Sequence, residues 1–135
     1  MKRLPDWETR LIKFVEGDIF YNWQTMNCAL FAGFIVGELT GLNFTKEYLS
    51  ELKKISSERR MFRYLRSIGG VESIADKHLG KRKPVSQAQR GDVVSCNLDL
   101  GLSLGICVGG MSVFISRDGK VFVETDQCKN AWSVG

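Results

Sequence analysis

The residue of this sequence best suited to chemistry is Cys28, which opens the most apolar predicted helix. Backbone N–H groups and the helix dipole at a helix N-terminus favour the thiolate, the reactive form of a cysteine nucleophile. A nucleophile also needs a base, and the only histidine, His78, falls on a short predicted helix far along the chain. Two interpretations of Cys28 therefore stand: a nucleophile, or a small buried apolar residue at a tight helix start.

The other cysteines, Cys96, Cys107 and Cys128, form no CxxC or CxxH pair with one another or with His78. This spacing gives no support to a zinc or iron–sulfur site, and we expect neither a metal nor another cofactor. Cys96 and Cys107 lie in apolar, strand-like runs, which predicts buried free thiols.

The chain has 135 residues, of which 44% are hydrophobic, and this predicts a single domain over 1–135 with one packed core. The first residues are polar and no apolar h-region follows them, so no signal peptide is expected. No apolar run is long enough for a membrane span. We expect the protein to be made in a reducing cytoplasm.

Positive charge is concentrated in two clusters, although the net charge is only +4. Lys53-Lys54 with Arg59-Arg60 form the first, and Lys81-Arg82-Lys83 the second. They could contact an acidic partner, or they could be solvated helix faces and a loop, which is the interpretation we favour. Because no aromatic residues alternate with the basic ones, we expect no nucleic-acid partner.

Hydrophobic periodicity changes halfway along the chain. Apolar residues at helical spacing predict five helices, near 7–15, 27–39, 45–55, 57–68 and 71–79. Asp6, Thr45 and Ser57 are the predicted N-caps of the first, third and fourth helices. Strands are predicted at 92–96, 102–108, 112–116 and 120–124, with a last strand at 131–134. Asp118-Gly119 predicts a type I′ hairpin turn. The expected fold is α+β, with a helical N-terminal half packed on a small antiparallel β-sheet.

Three motifs follow one another in a suggestive order. Asn27-Cys28 precedes the buried helix, Gly91-Asp92-Val93-Val94 enters a strand, and the run 103–109, Ser-Leu-Gly-Ile-Cys-Val-Gly, forms another strand. In this order they resemble the NlpC/P60 superfamily of cell-wall peptidases, a compact papain-like fold, over about 7–134. The ending Ala131-Trp132-Ser133-Val134 is similar to that of short members encoded among phage tail genes.

The departures from the family pattern bear directly on activity. Ser103 stands at the position of the family's catalytic histidine, and a hydroxyl cannot take a proton near neutral pH as an imidazole can. The next strand, where the third polar residue of the family is found, is mostly apolar at 113–116, and Asn27 replaces an acidic residue. Of the family's catalytic residues only Cys28 carries over.

The resemblance implies a structural component of a phage tail tip, assembled in the bacterial cytoplasm and located in the virion tail. Its partners would be other tail or tail-tip proteins, with peptidoglycan as a further contact. Trp7, Trp23 and Trp132 could anchor such partners, although core packing is the interpretation we favour for them.

Two alternatives remain open at this stage. The first is an active cysteine peptidase or amidase that cleaves peptidoglycan peptides during wall penetration. Cys28 would be its nucleophile, with His78, an unidentified group or a neighbouring subunit as base, and N–H groups at the helix start would hold the oxyanion. The second is an unrelated binding protein, including one that uses the basic clusters on nucleic acid.

Overall fold

The computed structural model describes residues 1–135, in which helices come first and a sheet follows. This order confirms the predicted α+β class. The helices are α1 (Trp7–Glu16), α2 (Leu30–Thr40), α3 (Lys46–Leu52), α4 (Glu58–Ser67) and α5 (Val71–Leu79). The strands are β1 (Val93–Leu98), β2 (Gly101–Cys107), β3 (Met111–Ser116), β4 (Gly119–Glu124) and β5 (Asn130–Trp132).

The strands form one antiparallel sheet in the order β4-β3-β2-β1-β5. β5 returns from the end of the chain to pair with β1, placing Trp132 opposite Val93. β2 pairs with β3 only through Ile106 and Cys107. The first part of β2 therefore keeps one backbone edge free for another segment, and this edge receives the start of α2.

Alternation along the strands separates two clusters of buried side chains on opposite faces of the sheet. The larger holds 23 residues from the helices and the sheet. Helix α2 lies at its centre, is apolar apart from Glu38 and Thr40, and buries Phe31, Ile35 and Leu39 completely. The smaller cluster lies on the other face: Val94, Cys96, Cys107, Phe114, Cys128 and Ala131.

None of the helices combines the length and apolar character needed to cross a membrane.

The tryptophans take part in this packing. Trp132 is fully buried in the larger cluster, and its indole N–H donates to Asp76 at 2.9 Å. Trp7 and Trp23 are partly buried and pack against the same cluster. The core interpretation is thus confirmed for Trp132, and the other two contribute part of their surface to it.

The predicted helix caps differ in outcome. Ser57 caps α4 as expected, because its hydroxyl accepts from a backbone N–H one turn on, at 3.2 Å. Asp6 precedes α1 but makes no cap hydrogen bond; its carboxylate binds Arg10 at 2.9 Å instead. Thr45 precedes α3 without capping it, because Asn43 supplies the accepting oxygen at 3.1 Å.

The β3–β4 hairpin is present, but the predicted type I′ turn is wrong. Ser116 pairs with Gly119, so Arg117 and Asp118 form the loop. A type I′ turn needs positive φ at both loop residues, and no residue other than glycine has positive φ in this chain. The positive φ, 114°, falls on Gly119 just after the loop. The last strand is also displaced: it covers 130–132 rather than 131–134.

The buried carboxylate of Asp92 ties the two ends of the chain to the middle. One oxygen accepts from Arg3 and from the backbone N–H of Val134, both at 3.1 Å. The other accepts from Lys83 at 2.7 Å and from the N–H of Gln89 at 2.8 Å. We call this arrangement the Asp92 clasp.

The 81–83 cluster is largely neutralised inside the fold. Arg82 makes two hydrogen bonds to Asp76, both of 3.0 Å, and Lys83 belongs to the Asp92 clasp. Lys81 and Arg82 are exposed, as the favoured interpretation of a solvated loop predicts.

Candidate active site around Cys28

The backbone at Cys28 is shaped by the side chain of Asn27. The Asn27 Oδ1 accepts from the N–H groups of Ala29 and Leu30, both at 3.0 Å, and its Nδ2 donates to the carbonyl of Trp23 at 3.0 Å. These contacts make Asn27 the effective cap of α2, so that regular helix begins at Leu30, later than predicted. Cys28 lies in the turn that leads into the helix.

The same turn is fixed to the sheet by a backbone hydrogen bond. The N–H of Leu104 on β2 donates to the carbonyl of Cys28 at 2.8 Å, using the strand edge that β3 leaves free. Only 2% of Cys28 is exposed, and it belongs to the larger apolar cluster. The Asn27-Cys28 motif and the 103–109 strand motif, both quoted above for the NlpC/P60 resemblance, are therefore in direct backbone contact.

The protonation state of Cys28 is opposite to the expectation from its helix position. Burial is the main cause that raises the pKa of the thiol to about 11; the backbone at Cys28 opposes this shift in part, and the negative charge of Glu58 adds to it. Desolvation thus outweighs the helix terminus. At neutral pH the group is a thiol, with about one molecule in ten thousand ionised.

The ionisable neighbours of Cys28 are a tyrosine and a carboxylate. The Tyr21 hydroxyl donates to Glu58 at 2.8 Å, and Arg117 binds both Glu58 oxygens at 2.8 and 2.6 Å. Arg117 lowers the pKa of Glu58 below its ordinary 4.5. Burial, followed by Glu58, raises the pKa of Tyr21. A carboxylate of this kind is too weak a base for a thiol with a pKa of about 11.

Ser103 is fully buried and its hydroxyl donates to the carbonyl of Gly101 at 3.1 Å. It sits opposite Cys96 in the β1–β2 pairing, and Cys96 belongs to the smaller cluster. Opposed residues share a face of the sheet, so the side chain of Ser103 points to the face away from Leu104. No hydrogen bond joins Ser103 to Cys28.

His78 lies at the end of α5, and its polar partners belong to α3. Its Nε2 is 2.8 Å from the Tyr48 hydroxyl and 3.5 Å from Glu47, and its ring packs edge-on against Phe44. Burial lowers its pKa. The structure therefore gives His78 partners of its own, and no hydrogen bond brings it to Cys28.

The cavity nearest the start of α2 offers little room for a substrate. It has a volume of about 50 Å³, is mostly apolar, and is lined by Asn27, Ala29, Leu30 and His78 but not by Cys28. Ligand sites usually measure about 300–1,000 Å³. A peptide could not reach the thiol through it.

Sequence reasoning missed the Tyr21–Glu58–Arg117 group and the function of Asp92. Positions 21, 58 and 117 carry no local signal, because they meet only when the helices pack on the sheet. Asp92 did stand in a quoted motif, but its four donors come from three distant segments and from the turn just before it. The four cysteines are buried and free, as predicted for Cys96 and Cys107.

The chain belongs to the family described as Domain of unknown function (DUF6950), whose model matches residues 2–134. No curated protein matches the sequence. The family description names no activity, so the functional argument depends on the surroundings of Cys28.

Proposed function

We propose that this protein is a structural component of a phage tail tip, built on a catalytically degenerate NlpC/P60-like fold. The observation that supports the non-catalytic part is the burial of the Cys28 thiol, which raises its pKa to about 11 and leaves it without a hydrogen-bonded imidazole. The placement in a phage tail rests on the resemblance of the sequence motifs and of the Ala131–Val134 ending.

Three features expected of a cysteine hydrolase are lacking at this position. The nucleophile is protonated. Ser103, at the position of the catalytic histidine in the NlpC/P60 pattern, donates its hydroxyl hydrogen bond to its own strand. The N–H groups of Ala29 and Leu30, which could hold an oxyanion, already donate to Asn27. A general base usually contributes about 10²–10⁴ in rate, and here the acid for the leaving amine is missing as well.

The features that remain favour a rigid building block. The Asp92 clasp joins the N-terminus, the C-terminus and the loop after α5. Helix α2 buries most of its residues, and the turn before it is fixed to β2 through Cys28. Such a body would hold its surface in a constant shape for neighbouring tail proteins.

The first experiment measures hydrolysis of purified peptidoglycan fragments, with products identified by mass spectrometry. Wild type is compared with Cys28→Ala, and an active NlpC/P60 peptidase serves as the positive control. We expect no products above those of Cys28→Ala. Turnover by wild type that Cys28→Ala abolishes would overturn the proposal and restore the cysteine peptidase alternative.

The structural part is tested separately in virions. Antibody labelling of purified particles is expected to locate the protein in the tail, at a constant number of copies per particle. Its absence from purified virions would contradict a structural function.

A further inference from the structure

The arginines of this chain divide into two groups by their partners. Those outside α4 each lie within 4.0 Å of a carboxylate: Arg3, Arg10, Arg82, Arg90 and Arg117. The arginines of α4 are all exposed, and no carboxylate lies within that distance of them. We call these the α4 arginine face: Arg59, Arg60, Arg63 and Arg66. The four arginines of this face carry a charge of +4, which equals the net charge of the whole chain.

Helix geometry aligns most of this face in a single row. Met61 and Leu65 are buried and hold the inner side of α4 against the core. Arg59, Arg63 and Arg66 are spaced i, i+4 and i+7, which places them on the opposite side within about 10 Å of helix length. The only side-chain hydrogen bond made by a guanidinium of the face is from Arg60 to the Ser56 hydroxyl, at 3.0 Å.

Apolar surface accompanies the row. Phe62 is half-buried beside Arg59 and Arg66, and these three residues border one shallow depression with Leu100. Ile68, just beyond the end of α4, is 38% exposed. Arginine next to partly exposed apolar side chains is typical of protein–protein interfaces.

The acidic residues of the same depression argue against nucleic acid. Glu58 and Asp99 both border it, and Asp99 has no cation within 4.0 Å. A phosphate backbone is charged at every nucleotide and would be repelled at this rim, whereas a helix can direct its carboxylates to the arginine row and place uncharged or cationic side chains at the rim. The face therefore fits a partner with patterned charge rather than a uniform polyanion.

We propose that the α4 arginine face docks an acidic helix of another protein, with carboxylates repeating at i, i+4 and i+7. Each guanidinium of the row can bind a carboxylate through two parallel N–H donors, which fixes register as well as affinity. The identification of that protein as a tail component rests on the proposed function; the chemistry of the surface does not.

The probe is a fluorescein-labelled helical peptide with glutamates at i, i+4 and i+7. A control peptide has the same composition with the glutamates dispersed around the helix, and a single-stranded DNA oligonucleotide tests the nucleic-acid alternative. Binding is measured by fluorescence anisotropy at about 0.05 M and about 0.3 M salt. The protein variants are Arg59→Glu/Arg63→Glu/Arg66→Glu and the matched control Lys2→Glu/Lys46→Glu/Lys81→Glu. The control changes the net charge of the protein by the same amount, at three exposed lysines that form no ion pairs.

We expect wild type to bind the patterned peptide about tenfold or more tightly than the dispersed one. The arginine triple variant should lose this preference, the lysine triple variant should keep it, and high salt should weaken it. Equal binding of both peptides, equal losses in both variants, or tighter binding of DNA would each overturn the proposal. Circular dichroism of the variants verifies folding. Peptidoglycan cleavage dependent on Cys28 would overturn the proposed function and leave this inference standing.

Discussion

Replacing Asp92 by asparagine removes one buried negative charge while keeping the size of the side chain. Asp92 is 2% exposed, and its two oxygens accept four hydrogen bonds. An asparagine has one oxygen for these donors, and its NH₂ group would point at the other pair. The charges of Arg3 and Lys83 would lose their partner at the same time.

The expected loss follows from these contacts. Removing one partner of a buried ion pair costs about 3–5 kcal/mol, and one hydrogen bond to a charged group contributes about 1.5–3 kcal/mol. The side chains of Arg3 and Lys83 are 17% and 20% exposed, so water can partly replace the carboxylate. We therefore expect Asp92→Asn to lower the free energy of unfolding by about 3 kcal/mol and Tm by about 10 °C.

The assay is urea and thermal unfolding followed by circular dichroism. The matched control is Asp18→Asn, because Asp18 is exposed and has no cation within 4.0 Å. Its effect should stay within about 0.5 kcal/mol. If Asp92→Asn lowers the free energy of unfolding no more than Asp18→Asn does, the Asp92 clasp does not stabilise the fold.

Three further predictions concern the sheet and the surroundings of Cys28. Gly105→Ala should lower the free energy of unfolding by about 2 kcal/mol or more in urea titrations, because a Cβ would overlap the carbonyl of Val113 on β3; wild-type stability would contradict this. Ser103→His should destabilise the protein and create no peptidase activity, since the serine is fully buried; fragment hydrolysis by this variant would refute it. Because Arg117 lowers the pKa of Glu58, their pairing stabilises the folded protein above the ordinary 4.5 and is lost as pH falls through the lowered value. The Tm difference between wild type and Arg117→Gln should therefore shrink below pH 4.5, and a constant difference would exclude this pair as its source.

The sequence was sufficient for the fold class and for most elements, because those signals are local. Helical spacing predicted α4 and α5 close to their observed ends, and Ser57 capped α4 as expected. β-branched runs placed the strands within a few residues. These features depend on neighbours a few positions away, which the sequence shows directly.

The errors have both distant and local origins. The helix terminus at Cys28 predicted a lowered pKa, but burial in the core raised it. Asn43 took the capping position expected of Thr45, and the turn before Gly119 avoided positive φ at Asp118. Burial at Cys28 and a neighbouring side chain at Thr45 outweighed the local preference.

The most direct test of the non-catalytic account is the pH dependence of Cys28 alkylation by iodoacetamide, followed by mass spectrometry of the peptide that contains it. The rate of Cys28 alkylation should be very low near pH 7 and rise about tenfold per pH unit up to pH 10, because the thiolate fraction of a buried thiol with a pKa of about 11 rises in this way. Urea-unfolded protein gives the reference rate. Fast modification near pH 7, with a midpoint well below that of the unfolded chain, would show an activated nucleophile and contradict the account.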